Sequence, residues 1–251
     1  MRAASPAPLD LAQISLRKAE RGMVVGGVES GKSTLGELLG REFLVRYQRE
    51  KARRLLLDTK PRYRAQKTAQ GLSAKRLYRT WDHGPTVPSS MLVEQPSDLD
   101  LAWKVGVRTA IAQSDGTYAS LPRLLAISDK FLAQSRTGRP QLAQVDETMD
   151  FYGPTGNPRG SSDVITRFAR TGRERGTAAL YGSQRTKGIP ATLLQEVTRL
   201  YLFHLDYEAD LKRLYEMGLP EWVESPKGEH EFYYWWKKDR EHVWGPYKLA
   251  L

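Results

Sequence analysis

A glycine-rich stretch near the amino terminus limits the folds that this chain can adopt. After the apolar run Met23-Val24-Val25, the sequence reads GGVESGKST over residues 26–34, with the spacing G-x-x-x-x-G-K-[ST]. Glycines at these positions let consecutive backbone N–H groups face one centre. A helix that follows directly turns its own first N–H groups toward the same point. The stretch therefore predicts a phosphate-binding loop, or P-loop, between a buried strand and a helix.

Each part of this loop has an expected role on a nucleotide. Lys32 is placed to reach the β- and γ-phosphates, and the Ser33 hydroxyl is placed to ligate Mg²⁺. The predicted nucleotide-binding residues are Gly26, Gly27, Val28, Glu29, Ser30, Gly31, Lys32, Ser33 and Thr34. Apolar residues at near-helical spacing after Ser33 predict a helix that extends to about Arg53.

The remainder of the chain alternates between strand-like and helix-like segments. This alternation predicts an α/β fold with a mainly parallel sheet, right-handed crossovers and flanking helices. We expect a single domain over residues 1–251. Within it, residues 1–20 form an N-terminal extension, 61–90 a long basic loop or insertion, and 228–251 an aromatic C-terminal β-hairpin.

Two further strand ends supply residues that a hydrolytic site needs. Asp146 and Glu147 follow the apolar run of PQLAQV, which predicts a Walker B carboxylate that holds Mg²⁺ and a neighbouring carboxylate that activates water. Gln184 follows the strand TAALYGS and is placed to sense the γ-phosphate or its water. The arginines before that strand form either a solvated basic face or, across a subunit boundary, an arginine finger.

The positive charge of the chain is concentrated in one segment. Its 39 Lys and Arg exceed its 29 Asp and Glu by ten, and residues 41–80 contain 13 of the former but three of the latter. Clustered cations gain affinity for a polyphosphate by releasing counterions, although a solvated face is the alternative. The predicted nucleic-acid contacts are Arg62, Arg64, Lys67, Lys75 and Arg76.

Composition excludes several other classes of protein. The chain has no cysteine, which excludes disulfides and thiolate metal sites, and its four histidines lack zinc-site spacing. The N-terminus lacks the apolar core of a signal peptide. No run approaches the ~18 apolar residues of a membrane span. We therefore expect a soluble, intracellular protein that does not itself span a membrane.

The order GGVESGKST, then QVDE, then GRERG-TAALYGSQR with an Ile-Pro soon after resembles the FtsK–HerA superfamily of translocases. Within it, the chain is most similar to the short genome-packaging ATPases of tailless, membrane-containing icosahedral viruses. The resemblance covers roughly residues 20–215. It implies a RecA-like core that uses ATP and Mg²⁺, with Gln184 as the polar sensor. It also implies an arginine finger: Arg173, which matches the family's Gly-Arg turn, with Arg170 and Arg175 as the reserves.

The same resemblance implies the partners and the location. Its members assemble as homo-oligomeric rings, usually of six subunits, around double-stranded DNA. A viral member works in the host cytoplasm or with the virion, where a capsid or membrane portal component is a further partner. Glu29 departs from the pattern, since the family usually has small residues near the phosphates. The chain also lacks the membrane and γ domains of cellular translocases, which favours a viral packaging enzyme.

Two other functions fit parts of the sequence. GGVESGKST also resembles the phosphate loop of heterotrimeric G-protein α subunits, and DFYG at residues 150–153 fits their D-x-x-G pattern. A regulatory GTPase would, however, need an N-K-x-D guanine reader, and the chain's one asparagine, Asn157, lies in GNP. The third interpretation is a DNA-binding assembly protein that binds nucleotide without turnover.

Overall fold

The structure is a computed structural model that describes residues 9–59, 77–78, 90–114, 118–135, 138–152, 164–239 and 241–249. Its strands are β1 Arg21–Val25, β2 Arg53–Asp58, β3 Leu77–Tyr78, β4 Ser90–Leu92, β5 Thr109–Gln113, β6 Gln141–Val145, β7 Thr177–Ser183, β8 Arg199–Leu202, β9 Glu231–Trp236 and β10 Val243–Lys248. Its helices are α1 Leu11–Ile14, α2 Lys32–Arg46, α3 Ser97–Lys104, α4 Leu121–Gln134, α5 Val164–Glu174, α6 Ala191–Glu196 and α7 Glu208–Glu216.

The described strands form one sheet in the order β10-β9-β8-β1-β7-β6-β2-β5-β4-β3. The pairs from β8 through β4 are parallel, whereas β8 pairs with β9, β9 with β10, and β3 with β4 in antiparallel fashion. This is the predicted α/β fold, with a mainly parallel sheet and a C-terminal β-hairpin, and the prediction is confirmed.

Both faces of the sheet are buried, as helical crossovers between parallel strands require. Along β1, Val24 packs into a cluster that contains Leu35 and Leu39 of α2. Met23 and Val25 point to the opposite face, into the larger cluster that contains Phe168 of α5. Since successive side chains of a strand alternate between faces, this short apolar run is buried on both sides and fixes where the P-loop emerges.

Helix α2 is fixed to the sheet by a buried ion pair. Arg54 on β2 is 1% exposed and donates from Nη2 to Glu37 Oε2 at 2.6 Å, while Arg41 Nε lies 3.0 Å from the other oxygen. Burial alone would raise the pKa of Glu37, but the guanidinium groups of Arg54 and Arg41 outweigh it and lower that pKa. A paired buried carboxylate of this kind holds the helix in one position on the strand.

The structure differs from the sequence-based prediction at two places. Helix α2 ends at Arg46 rather than near Arg53, because the chain turns at residues 47–52 to enter β2. Helix α3 was not predicted and lies between β4 and β5. The N-terminal extension is packed where it is described, since Ile14 and Leu16 are buried in the cluster beneath α2. Apart from the backbone of 77–78 and residue 90, the predicted basic insertion at 61–90 lies outside the described residues.

The C-terminal hairpin extends the sheet rather than standing apart from it. Strand β9 pairs with β8 through the register Leu200–Trp235 and Tyr201–Tyr234. Trp235 is 1% exposed and packs into the larger core cluster, whereas Trp236 and Trp244 pack as partly buried residues against the other. The aromatic side chains of the hairpin therefore act as core residues.

Candidate nucleotide-binding site

The carboxyl ends of β1, β6, β7 and β8 meet at one edge of the sheet, where ligands of open α/β sheets bind. The P-loop leaves β1 at this edge and is held by both neighbouring strands. Gly26 N donates to Ser183 O of β7 at 3.2 Å, and Gly27 N donates to His204 O beyond β8 at 2.7 Å. Gly31 has a φ of +98° and begins α2, so the loop requires glycine at this point.

The lysine of the P-loop contacts the loop itself. Lys32 Nζ donates to the Gly27 carbonyl and lies 3.4 Å from Ser30 Oγ. Val28 is 70% exposed at the tip. Glu29 has a φ of +57°, the left-handed region that side chains rarely adopt. The acidic residue that departs from the family pattern therefore lies on a tightly turned loop.

Ser33 and Asp146 are brought together by the fold. Ser33 Oγ, in the first turn of α2, donates to Asp146 Oδ1 at 3.3 Å, across 113 residues of sequence. Hydroxyl and carboxylate oxygens are suitable ligands for Mg²⁺, which takes few protein ligands and completes its shell with phosphate and water. The described residues contain no group of three or more His, Cys, Asp or Glu that could hold a metal ion. The site therefore fits a phosphate-bound Mg²⁺ rather than an all-protein metal cage.

Glu147 is docked on the end of β7. Its side chain is nearly buried, and Oε1 accepts from Ser183 Oγ at 3.0 Å and from Gln184 N at 3.3 Å. Ser183 Oγ also lies 2.7 Å from the carbonyl of Arg185. Because a hydroxyl has one proton to donate, Ser183 binds either Glu147 or the Arg185 carbonyl at any moment. The carboxylate next to Asp146 is thus coupled to the end of the strand that leads into Gln184.

A close backbone approach joins the end of β6, which leads into Asp146 and Glu147, to β7, which leads into Gln184. A Cβ on Gly182 would overlap the carbonyl oxygen of Asp146. Only glycine permits this approach, which brings Asp146 and Glu147 beside Ser183 and Gln184.

The loop that follows Gln184 is held by one buried carboxylate. Asp210 of α7 is fully buried, and Oδ1 accepts from the backbone N–H groups of Thr186 and Lys187, both at 2.8 Å. Its Oδ2 accepts from Arg185 Nε at 2.7 Å, and the Arg185 guanidinium also lies over the Tyr207 ring. Burial alone would raise the pKa of Asp210, but hydrogen bonds from Lys187, Thr186 and Arg185 outweigh it and lower that pKa.

The predicted finger arginines lie at the opposite edge of the sheet. Helix α5 leads into the amino end of β7, and a Cβ on Gly172 would lie 3.7 Å from Arg21 Nη2 at the start of β1. A seven-residue strand separates this edge from Gln184, a distance of about 20 Å at ~3.3 Å per residue. Arg173 is therefore out of reach of a nucleotide on its own P-loop.

The three arginines differ in their surroundings. Arg175 Nη1 donates to the Leu132 carbonyl at 3.1 Å, so this side chain closes the end of α4. Arg170 and Arg173 are exposed, and in the described ranges of the chain neither makes a hydrogen bond or an ion pair. The geometry leaves these two available to a neighbouring molecule.

Other residues of the site were missed from the sequence. Ser183 is the last residue of β7, His204 and Asp206 follow β8, and Asp210 lies in the first turn of α7, all at the carboxyl edge of the sheet. The rule that ligands collect beyond strand carboxyl ends would have drawn attention to Asp206, which is the last residue of the predicted strand RLYLFHLD and lies beyond β8 in the structure. The five predicted nucleic-acid contacts between residues 62 and 76 lie outside the described residues.

None of the described helices has the length and apolar character that a membrane crossing requires.

No protein-family model matches the sequence, and no curated protein is significantly similar to it. Solved structures do share the fold. The genome packaging NTPase B204 of Sulfolobus turreted icosahedral virus 2, in complex with AMPPCP, has a TM-score of 0.61 at 12% identity over 92% of this chain and 98% of that one. B204, the DNA-packaging ATPase of Sulfolobus Turreted Icosahedral Virus, has a TM-score of 0.61 at 11% identity, with 94% and 100% covered.

A further solved structure, also of ATPase domains, has a similar core. EssC ATPases 2 and 3 from Geobacillus thermodenitrificans give a TM-score of 0.54 at 10% identity, over 92% of this chain and 40% of that one. The B204 likeness spans nearly the whole of both chains. The P-loop ATPase fold implied by the resemblance is therefore the fold of this chain.

Proposed function

We propose that this chain is a Mg²⁺-dependent ATPase that translocates double-stranded DNA during viral genome packaging. The observation that carries the ATPase part is the meeting of Ser33, Asp146 and Glu147 beside the P-loop. These residues come from two distant segments, and the Ser33–Asp146 distance is 3.3 Å. An accidental glycine turn would not be expected to face a half-buried carboxylate that follows another strand.

Each of these residues has a part in hydrolysis. The loop N–H groups and Lys32 bind the phosphates of ATP. Ser33 and Asp146 would hold Mg²⁺, which when bound neutralises the charge that develops on the phosphates. Glu147 accepts the proton of the attacking water once its carboxylate turns toward the γ-phosphate. Gln184, whose backbone N–H already contacts Glu147, orients that water or senses the γ-phosphate.

Turnover needs one more positive charge, which we assign to a neighbouring subunit. Arg173 is our leading candidate for the arginine finger, with Arg170 and Arg175 as the reserves. Its place at the edge far from its own P-loop supports action on a neighbour's γ-phosphate, and a closed ring supplies such a neighbour to every subunit. We propose a homo-oligomeric ring of six subunits.

The DNA part of the proposal rests on charge and on fold likeness. The segment 41–80 carries the whole positive excess of the chain, and a translocase must hold DNA without regard to sequence. B204 is named a DNA-packaging ATPase. We propose Arg62, Arg64, Lys67, Lys75 and Arg76 as phosphate contacts, and a capsid or membrane portal component as the further partner.

The chemistry is tested with two variants. Glu147→Gln should keep binding of Mg²⁺·ATP and lose about 10²- to 10⁴-fold in turnover, because the general base is replaced by a neutral amide. Lys32→Ala should weaken nucleotide binding itself. Titration calorimetry and steady-state phosphate release measure the two effects separately. Wild-type turnover in Glu147→Gln would show that another group activates the water.

The competing functions are separated by the nucleotide and by the dependence on DNA. A regulatory GTPase would prefer GTP in a competition assay, and an assembly protein would bind ATP without releasing phosphate. A translocase should hydrolyse ATP faster with double-stranded DNA of any sequence. Its DNA affinity should fall steeply with salt, and neutralising the five basic residues should flatten that slope by about one unit per lost phosphate contact.

A further inference from the structure

A cleft lies between helices α6 and α7, on the face of the sheet that holds the larger core cluster. Its volume is about 380 Å³, which is in the range of ligand pockets. The buried side chains of Leu194 and Met217 form its apolar floor, and the small side chains of Ala191 and Ala209 leave it open to solvent. None of its lining residues has a part in the proposed hydrolysis.

The charged residues around the cleft are mostly cations. Lys187, Lys212 and Arg213 line it together with one carboxylate, Glu216. Arg213 donates from Nη2 to the carbonyl of Ile189, which fixes α7 to the turn before α6. Lys187 and Lys212 are exposed, and among the described residues neither side chain has a hydrogen-bond or ion-pair partner. An apolar floor with a cationic rim suits an apolar group that lies between carboxylates.

A group of this kind lies on the surface just after α7. Trp222 is 66% exposed, and Glu221 and Glu224 on either side of it are exposed as well. The neighbouring Val223 is buried, and its carbonyl accepts from the Tyr215 hydroxyl at 2.6 Å. The backbone that carries Trp222 is therefore held against α7. A tryptophan presented in this way is typical of the residues that dominate the binding energy of interfaces, because little further order must be gained on binding.

The cleft and Trp222 lie on different sides of α7. Ala209, Arg213 and Glu216 line the cleft at the spacing i, i+4 and i+7, which is one face of a helix. Tyr215, which holds the Trp222 backbone, is about 100° round the helix from Glu216. One molecule can therefore offer its cleft to one neighbour and Trp222 to another. Two different, matching patches of this kind make a head-to-tail contact, which closes into a ring when its rotation allows.

We infer that the cleft between α6 and α7 receives Trp222 of a second copy of this chain, with the carboxylates of Glu221 and Glu224 opposite Lys187 and Lys212. The inference rests on the proposed function, because the proposed ring gives every cleft a neighbour. It assigns the contact between subunits to a named aromatic side chain and a named pocket.

This contact also reaches the loop that follows the predicted sensor. Lys187 is three residues beyond Gln184, and its backbone N–H donates to Asp210 Oδ1 at 2.8 Å. The inferred contact thus connects each subunit's neighbour to the segment that leads back to its own Gln184.

The test uses one variant for each side of the contact. Trp222→Ala removes the aromatic group, and Ala209→Glu places a larger, negatively charged side chain in the cleft. Both positions are exposed, so both chains should fold, and urea unfolding checks this. Sedimentation velocity with Mg²⁺ and AMPPCP should show assembly of wild type. In each variant the dissociation constant of the assembly should rise about tenfold or more, the cost of losing an interface hot spot.

Mixing the two variants shows whether the two patches meet. A Trp222→Ala chain keeps its cleft, and an Ala209→Glu chain keeps its tryptophan, so one intact contact joins them. The mixture should form dimers and nothing larger, because neither remaining end can bind a further copy. The control is Val105→Ala, which removes an exposed apolar side chain at the end of α3 and should assemble as wild type does.

The outcomes separate this contact from the proposed ring. If both variants assemble as wild type does, the inference is overturned, while a ring built on another contact stands. If both are folded monomers whose mixture forms no dimer, the two patches do not meet, which also overturns it. If wild type stays monomeric with double-stranded DNA added, the proposed ring fails and the inference fails with it. ATP turnover by that monomer would leave the proposed hydrolysis in place.

Discussion

The two edges of the parallel sheet carry opposite chemistry, although the same strands form both. At the amino edge, six adjacent strands each begin at or just after an arginine. These residues are Arg21, Arg53, Arg108, Arg139, Arg175 and Arg199. At the carboxyl edge, β1, β6 and β7 lead into the P-loop, the Asp146-Glu147 pair and Gln184.

Helix direction explains much of this difference. In a parallel α/β fold, helices end at the amino edge, where their last carbonyl groups lack partners, and begin at the carboxyl edge with unpaired N–H groups. Arg108 Nη2 donates to Leu44 O at the end of α2 at 2.7 Å, and Arg175 donates to Leu132 O at the end of α4. Cations are favourable at helix C-termini and anions at N-termini. The amino edge is thus stabilised within the subunit, whereas the carboxyl edge is built to bind an anion.

The largest expected effect tests whether any arginine of the amino edge acts outside its own subunit. Arg173→Ala should lower ATP turnover about 10³-fold or more with little change in stability, because a finger acts on transition-state charge. Steady-state phosphate release and urea unfolding measure the two quantities. The matched control is Arg108→Ala, which removes a bond to a helix end and should cost about 1 kcal/mol in unfolding free energy with turnover per folded subunit unchanged.

Mixing subunits identifies where Arg173 acts. Arg173→Ala and Glu147→Gln chains should each be nearly inactive, but mixed rings pair some intact Glu147 sites with neighbours that retain Arg173. Activity should return on mixing where subunit exchange is demonstrated. If Arg173→Ala alone hydrolyses ATP normally, this arginine belongs to a basic surface. The residues at both edges of the sheet would then act only within their own subunit.

An intermediate effect is expected where the carboxyl edge is most tightly packed. Gly182→Ala would place a methyl group against the Asp146 carbonyl, so the end of β6 must shift. We expect a loss of about 1–3 kcal/mol in unfolding free energy from overpacking. Turnover should fall about 10²-fold, because a displacement near 1 Å is enough to misalign catalytic groups. Turnover like that of wild type would mean that the approach of β6 to β7 matters for packing alone.

The sequence predicted those parts of the carboxyl edge whose residues are adjacent in the chain. GGVESGKST, the Asp146-Glu147 pair and the alternation of strands and helices are local patterns, and the structure has the glycine-rich loop and this acidic pair at the same edge of the sheet. Helix α3 was missed because it has eight residues and thus few turns of periodicity. Helix α2 was extended too far because Tyr47 fits the helical spacing but lies at its C-cap.

The remaining site residues depend on contacts that the linear sequence does not contain. Ser183 meets Glu147 across 36 residues, and Asp210 meets Thr186 across 24. His230 reaches the P-loop because β9 returns beside β8. A serine or an aspartate in a loop has no distinctive local pattern, so the fold must be known before these partners can be paired.

The last expected effect concerns stability alone and its pH dependence at the carboxyl edge. Asp210→Asn should cost about 1.5–3 kcal/mol in unfolding free energy at pH 7, the value of hydrogen bonds to a charged acceptor. The amide offers one acceptor where the carboxylate now accepts from Arg185, Thr186 and Lys187. Urea unfolding of both proteins measures the difference. As a control, Asp129→Asn removes an exposed ion pair with Arg167 and should change the unfolding free energy by about 0–1 kcal/mol.

The sign of the pH dependence follows from the direction of the shift. The folded protein lowers the pKa of Asp210, so its stabilising contribution is fully present above the ordinary aspartate pKa of about 3.9. The contribution is lost as pH falls below that value toward the lower, folded pKa. The gap between wild type and Asp210→Asn should therefore be constant from pH 7 down to about pH 5 and shrink in more acidic buffer. A gap that stays constant into acid would show that packing of the side chain, rather than its charge, holds the loop after Gln184.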